Sequence, residues 1–297
     1  MKLVECVPNV SEGRAESVMR RLVGAVETTT GLKLLDWSAD RDHNRTVLTY
    51  VGEPEAVFTG TQALCREAFA SIDMRNHQGA HPRLGAVDVI PFVPLRDVTG
   101  DETVALARRL GAWIGKQGVP VYYYADAATR PDRESLPEVR RGQYEGLAAR
   151  IGTPEGEPDE GPREFNAKSG ASIVGVRFPL VAFNVNLDTP DLSIAKRIAE
   201  TIRHSTGGFR YVRAMGVALA DKGQVQVSID FLQYEKTPIH RVLETIRSEA
   251  ARHGVAVAGC ELIGLAPMAA FEETIAHYLQ LHDFSVRQVL ENRLLES

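Results

Sequence analysis

The sequence predicts an α/β protein of the α+β kind, built from two ferredoxin-like βαββαβ subdomains, each a sheet covered by helices. Three observations carry this expectation. Residues 3–92 read as strand, helix, strand, strand, helix, strand, and residues 180–263 read in the same order again. Between the two rounds, Gly152 to Gly170 is rich in Gly, Pro and Glu, which suits a linker or a binding loop and neither a helix nor a central strand. The boundary is placed there, and the subdomains are drawn as 1–178 and 179–297. Residue-level similarity between the halves is too weak to mark a duplication.

Leu3 to Val7 is the first strand and Pro8 to Gly13 the turn out of it. Ser11 is a candidate N-cap for a helix whose stripe is Val18, Leu22, Val23 and Val26. Leu32–Trp37 and Arg45–Val51 are strands joined by a polar connector, Ser38 to Asn44. Glu53-Pro54-Glu55 opens the second helix, with Val57, Leu64 and Phe69 facing the core. Ala86–Phe92 is a strand, Thr99–Gln117 a helix and Val119–Tyr124 a further strand, the last two added to the first unit. Arg130 to Arg150 reads as a solvated segment, with Arg130, Arg133, Arg140 and Arg141 as candidates for lining a channel for an acidic ligand.

In the second half, strands at 180–187, 212–219, 225–231 and 255–263 enclose helices at 193–204 and 239–253. Helices at 267–279 and 285–295 follow. The period of two in the first of these strands puts Asn184 and Asn186 on one face, and Phe183, Val185 and Leu187 on the other. Two amides side by side fit a polar cleft or a solvated sheet face.

Composition narrows the function classes. The chain of 297 residues is 44% hydrophobic and 25% charged, as in ordinary globular proteins. A net charge of -5 argues against a general nucleic-acid binder. Three widely spaced cysteines suggest neither a disulfide framework nor a zinc knuckle, so a reduced, cytoplasmic protein is expected. The amino end has no long apolar run, and no signal peptide or membrane association is expected. Neither a Walker-type loop nor a Gly-x-Gly-x-x-Gly after a strand is present.

The stretch with the densest chemistry is Asn76 to Gly85, which holds two imidazoles, an amide and a guanidinium just ahead of a strand. His77 and His81 have the spacing of helical metal ligands, but Gly79 and Pro82 oppose a helix there, which weakens a zinc site. A loop so rich in functional groups on a rigid scaffold reads as a site, with His81 as its acid–base residue. Asn44 and Arg45, at the start of a strand, could hold a carboxylate through the guanidinium fork.

Four motifs give these segments a resemblance: Val4-Glu5-Cys6-Val7-Pro8-Asn9-x-Ser11-Glu12-Gly13, Asn44-Arg45-Thr46-Val47, His77 to Ala86 with Asp88, and Ala182-Phe183-Asn184-x-Asn186-Leu187. Together they resemble the glutamate formimidoyltransferase (formiminotransferase) family of folate enzymes, in the stand-alone form without the cyclodeaminase domain of the mammalian members. The mammalian pattern carries an acid where Ser38 stands, with Asp36 and Asp40 the nearest acids here. The resemblance implies transfer of a formimidoyl group from N-formimidoyl-L-glutamate to N5 of tetrahydrofolate as co-substrate, without a metal. It implies a folate cleft between two subdomains, a homodimer, and His81 as the catalytic histidine. With it go substrate roles for Asp40, Asn44, Arg45, Arg83, Asn184 and Asn186. The folate-contacting stretch would be Asp159-Glu160-Gly161-Pro162-Arg163-Glu164-Phe165-Asn166-Ala167-Lys168, with Lys168 and Arg177 meeting a polyglutamyl tail. Three rivals are a relative acting on 5-formyltetrahydrofolate, a metal-dependent hydrolase using His43, His77, His81 and Asp88, and a non-catalytic folate-binding module.

Overall fold

The structure, a computed structural model, describes residues 1–296. It divides into two units, Met1–Arg177 and a second from Phe178 onward.

The first unit runs β1 (Leu3–Cys6), β2 (Asn9–Val10), α1 (Glu16–Glu27), β3 (Leu32–Asp40), β4 (Arg45–Gly52), α2 (Pro54–Ser71), β5 (Val87–Arg96), α3 (Gly100–Lys116), β6 (Val121–Ala125), α4 (Leu136–Val139), α5 (Gln143–Arg150) and β7 (Ser172–Val176). β1 and β2 form one line broken at Val7-Pro8 and lie antiparallel between β4 and β5, with Glu5 opposite Val51 and Asn9 opposite Val47. β3 pairs with β4 on the outer side. Across β5, the parallel pairs β5–β7 and β7–β6 extend the sheet. The expected βαββαβ order is therefore present, enlarged by a parallel wing.

Helical stripes cover one face. α1 buries Met19, Leu22, Val23 and Val26, the i, i+3, i+4, i+7 spacing of an amphipathic helix. α3 starts in a capping box between Thr99 and Glu102 and buries Leu106, Leu110 and Ile114. These meet Val4, Cys6, Leu48, Tyr50 and Phe92 in the main core. Burial pushes the Cys6 thiol up to about 12, consistent with a packing role. On the opposite face of the wing, Val139, Leu147 and Ile151 from α4 and α5 pack on Val89, Tyr122, Tyr124 and Ile173.

Four expectations are corrected. α1 begins at Glu16, not after Ser11: Val10 is drawn into the sheet, Ser11 N donates to Ala86 O at 2.9 Å and Ser11 Oγ to Gly85 O at 2.7 Å. The Glu12 carboxylate instead accepts from the amides of Arg14 and Ala15 ahead of the helix. β7 was not anticipated, and residues 152–170 belong to the first unit, where Glu160 bridges to Val121 and Gly170 to Gly85. The segment 130–150 is not a solvated face throughout, since Arg133 is buried against Asp159 and the half-buried Arg140 pairs with the buried Asp88.

The second unit runs β8 (Val181–Leu187), α6 (Leu192–Ile202), β9 (Val212–Leu219), β10 (Gln224–Phe231), α7 (Ile239–Arg252), β11 (Val257–Ile263), α8 (Ala269–Leu279) and α9 (Leu290–Glu296). Its sheet order, β11-β8-β10-β9, is antiparallel throughout, the split βαβ arrangement. Ile194, Ile198 and Ile202 of α6 and Val242 and Ile246 of α7 cover Val181, Val185, Val227 and Phe231. The helix expected over 285–295 is a 3-10 turn at Val286–Gln288 followed by α9. No helix among the described residues is long and apolar enough to cross a membrane.

Candidate active site

The loop after the 3-10 turn Met74–Asn76 is held between the β3–β4 hairpin and the segment that follows β6. Asn44 opens the hairpin's return strand with φ 48°, a left-handed conformation that asparagine tolerates better than most residues. Its Oδ1 accepts from Gly13 N at 2.9 Å and its Nδ2 donates to Gln78 O at 3.0 Å, so this amide ties the turn after β2 to the loop. Ala80 N donates to Asp42 O at 3.1 Å. Gly79 packs so closely on His43 that an added Cβ would overlap the His43 carbonyl.

His77 is fixed by two hydrogen bonds. Its Nδ1 accepts from Arg83 Nε at 3.2 Å, so Nε2 carries the proton donated to Asn44 O at 2.9 Å. Burial holds its pKa below the ordinary histidine value, although the bond to Asn44 opposes this. Arg83, only 7% exposed, forks onto Glu145 at 2.6 and 3.0 Å. Asp88, buried in β5, accepts from Leu84 N at 2.8 Å and from Arg140. Tyr144 N donates to Arg83 O at 2.8 Å. The corner between α4 and α5 thus grips the loop at three points.

His81 lies in a polar recess lined by Ser11, His43, Asn44, Arg45, His77, Arg83 and Asp88. Arg45 Nη1 lies 2.6 Å from His81 Nε2 and donates to Asn9 Oδ1 at 3.2 Å. Arginine has no acceptor, so His81 Nε2 is the acceptor and the ring is neutral with its proton on Nδ1. The His43 ring stands edge-on at 5.9 Å. Burial first, then the charges of Arg45 and Arg140 and the nearby His43, bring the His81 pKa down to about 3.

The other expected residues separate into groups. Asp40 closes the hairpin turn, accepting from the amides of Asp42 and His43 at 2.8 Å and pairing with His43 Nδ1 at 3.1 Å. Burial opposes its charge, but these hydrogen bonds, with His43 and Arg45 nearby, hold it below the usual carboxylate range. Asp40, Asn44, Arg45, His81 and Arg83 therefore occupy one neighbourhood.

The stretch 159–168 runs elsewhere in the same unit. Asp159 is spent on Tyr123 N at 2.8 Å, Arg133 at 2.6 Å and Thr129. Glu160 bridges to Val121 and Gly161 turns with φ 83°. Arg163 pairs with Glu157, and Phe165 leans on Tyr144 at 5.4 Å. Asn166 donates to Gly118 O at 2.9 Å, Ala167 O accepts from Tyr144 at 2.6 Å, and Lys168 Nζ reaches Ala70 O at 3.2 Å. Glu164, Ala167 and Lys168 are exposed and Pro162 half-buried.

Asn184 and Asn186 lie in the second unit, on the sheet face away from α6 and α7. There Asn186 donates to Glu261 at 3.0 Å and accepts from Gln226 at 2.8 Å. Among the described residues no group of three His, Cys, Asp or Glu is arranged to hold a metal, and His77 has both nitrogens engaged. Glu145 was absent from the expected site, Arg140 was expected only as a candidate for lining an acidic-ligand channel, and Asn9 carried no assigned role. Asn9 stood in a quoted motif, whereas the two pairings that bring Arg140 and Glu145 to the loop span more than fifty residues and leave no local pattern.

A half-buried neutral imidazole beside a guanidinium, on a loop clamped to an α/β scaffold, is suited to acid–base chemistry. Residues 3–177 match the model of the formiminotransferase domain, N-terminal subdomain, and residues 182–295 that of the formiminotransferase domain. The chain belongs to the formiminotransferase family. It is 45% identical to a glutamate formimidoyltransferase of Streptococcus pyogenes serotype M1, covering 99% of both chains. It is 44% identical to one of Thermoplasma acidophilum, covering 99% of this chain and 98% of the relative. The formimidoyltransferase-cyclodeaminase of Rattus norvegicus is 41% identical over 93% of this chain and 52% of its own length.

Proposed function

We propose that the chain transfers the formimidoyl group of N-formimidoyl-L-glutamate to N5 of tetrahydrofolate, giving 5-formimidoyltetrahydrofolate and L-glutamate, with His81 as the acid–base residue. The observation that carries the mechanism is the neutral His81 ring, whose Nε2 is a proton acceptor inside the recess. N5 attacks the amidinium carbon and forms the new C–N bond, and His81 takes the proton that N5 loses. The imidazolium returns it to the glutamate nitrogen as the old C–N bond breaks, so the ring ends as it began.

Arg83 forks onto Glu145 and bonds His77, and in this reading the Arg45 guanidinium, beside His81 and Asn9, meets the donor's carboxylate. In this reading Asp40, whose carboxyl is held below the usual range, steadies the amidinium. Asn44 acts by holding the hairpin to the loop. The exposed Gly161, Arg163, Glu164, Ala167 and Lys168 are the part of the 159–168 stretch open to folate and its tail. A homodimer and a cytoplasmic location belong to the same reading, the first checked by sedimentation.

The test is formation of 5-formimidoyltetrahydrofolate, followed by the absorbance of its acid conversion product, 5,10-methenyltetrahydrofolate. Turnover in the wild type that falls by ~10²-fold or more in His81→Ala, with tetrahydrofolate affinity retained, is the expected result. Undiminished turnover in that variant removes His81 from the mechanism. Transfer from 5-formyltetrahydrofolate in place of N-formimidoyl-L-glutamate would reassign the donor.

A further inference from the structure

The sequence offers four arginines for an acidic-ligand channel, and the structure separates them. Arg130 pairs with Asp132 and donates to Pro154 O, Arg133 is enclosed by Asp159 and Glu157 O, and the exposed Arg141 pairs with Glu138. Arg140 is the one of the four that reaches the recess, through its partner Asp88, which lines it.

That pairing leaves the guanidinium partly unused. Asp88, 2% exposed, accepts from Arg140 Nη2 on one oxygen and from Leu84 N at 2.8 Å on the other, so both of its oxygens are engaged. Arg140 Nε is buried without a hydrogen-bond partner, while the side chain as a whole keeps 13% of its surface exposed. A buried donor in this state is costly and points to an acceptor supplied from outside. The charge of Arg140 is also felt at the His81 ring, second only to that of Arg45 among the charges acting there. Resting on the reading above, we propose that Arg140, aimed by Asp88, holds the side-chain carboxylate of N-formimidoyl-L-glutamate.

The donor's own structure divides the two arginines. Its α-carboxylate sits on the carbon that bears the departing nitrogen, whereas its side-chain carboxylate stands two methylenes further out. Arg45, 2.6 Å from His81 Nε2, suits the first, and Arg140, one residue removed behind Asp88, suits the second. A donor with an amide in place of the side-chain carboxylate loses the charge-assisted bond and leaves Arg140 poorly matched.

The experiment is steady-state kinetics of the full chain with N-formimidoyl-L-glutamate and with N-formimidoyl-L-glutamine, in the wild type and in Arg140→Lys. Lysine keeps a positive charge beside Asp88 and loses the planar donor edge. For the glutamate donor, Arg140→Lys should raise KM by ~10-fold or more and change kcat by less than ~3-fold. For the glutamine analogue the wild-type KM should already be raised by that factor, and the substitution should add nothing. A merely structural Arg140 gives no such split, because a displaced α4–α5 corner weakens both donors alike. Equal loss with both donors therefore overturns the proposal. The KM for mono- and triglutamyl tetrahydrofolate should stay unchanged in Arg140→Lys; a rise confined to the longer tail assigns Arg140 to the folate's carboxylates and overturns it as well.

One arm needs no variant to fold. In the wild type, L-glutamate should inhibit ~10-fold more strongly than L-glutamine, and equal inhibition removes a side-chain carboxylate holder from the site. Failure of these splits alongside lost turnover in His81→Ala keeps the transferase assignment and removes the Arg140 role alone, whereas retained turnover in His81→Ala removes the reading on which that role rests.

Discussion

Arg83 and Arg45 enter the same recess with different duties. Arg83 is buried, forked onto Glu145 and bonded to His77, so a lysine there keeps the charge but leaves acceptors unmatched. Arg83→Lys is expected to lower unfolding stability by about 1–3 kcal/mol in urea titrations, with the donor KM changed less than in Arg45→Lys. An Arg83→Lys variant with normal stability and a much weakened donor KM would make Arg83 the carboxylate holder instead. The residue scale is where the sequence spoke most clearly: the density of functional groups around His81 marked the loop, and Asn44-Arg45 marked its partner strand. It said little of what fixes Arg83, because that depends on Glu145, which lies more than sixty residues downstream.

At the scale of elements, the loop works because three others hold it. The β3–β4 hairpin touches it so closely at Gly79 that no side chain fits beneath the His43 carbonyl. Gly79→Ala should push the loop off the hairpin and lower kcat/KM by ~10²-fold, the usual cost of displacing a catalytic group by about an ångström. An unaltered kcat/KM would show that this contact does not set the position of His81. On the other side, Arg140→Met strands the buried carboxylate of Asp88, whose other oxygen receives Leu84 N. The expected loss is about 3–5 kcal/mol of stability, measurable by thermal or urea unfolding. Sequence periodicity found the amphipathic helices well, since α1 and α3 have one buried stripe each. It missed β7, because a strand buried on both faces, Ser-Ile-Val-Gly-Val, has no alternation and is too short to stand out. Ser11 misled for a related reason: its hydroxyl bonds a distant carbonyl rather than a helix terminus.

For the whole molecule, three histidines that are buried or half-buried set a dependence on acid. Burial lowers the pKa of His81, His77 and His240, so the unfolded chain, with ordinary values near ~6.5, binds more protons below that pH than the folded one. Stability contributed by keeping these rings neutral is present above ~6.5 and is lost progressively as pH falls, for His81 down to about 3. Urea midpoints should therefore drop between neutral and mildly acid pH, and His81→Ala should reduce that drop; an equal drop in the variant would place the proton uptake elsewhere. The twofold βαββαβ plan was readable because each round has its own strong helices, while the parallel wing of the first unit was only half visible. That wing has a further consequence. Gly85 bridges to Gly170, Ala86 N donates to Ser169 O, and β5 takes β7 as its parallel neighbour. A nascent chain emerging from the ribosome carries His81 early but cannot close the sheet beside it until β7 has been synthesised. Long-range parallel pairing of this kind forms late. With His81 as the proposed acid–base residue, competence would arrive as one of the last events in building the first unit, and a polypeptide truncated before β7 would bear that histidine without the sheet that positions it.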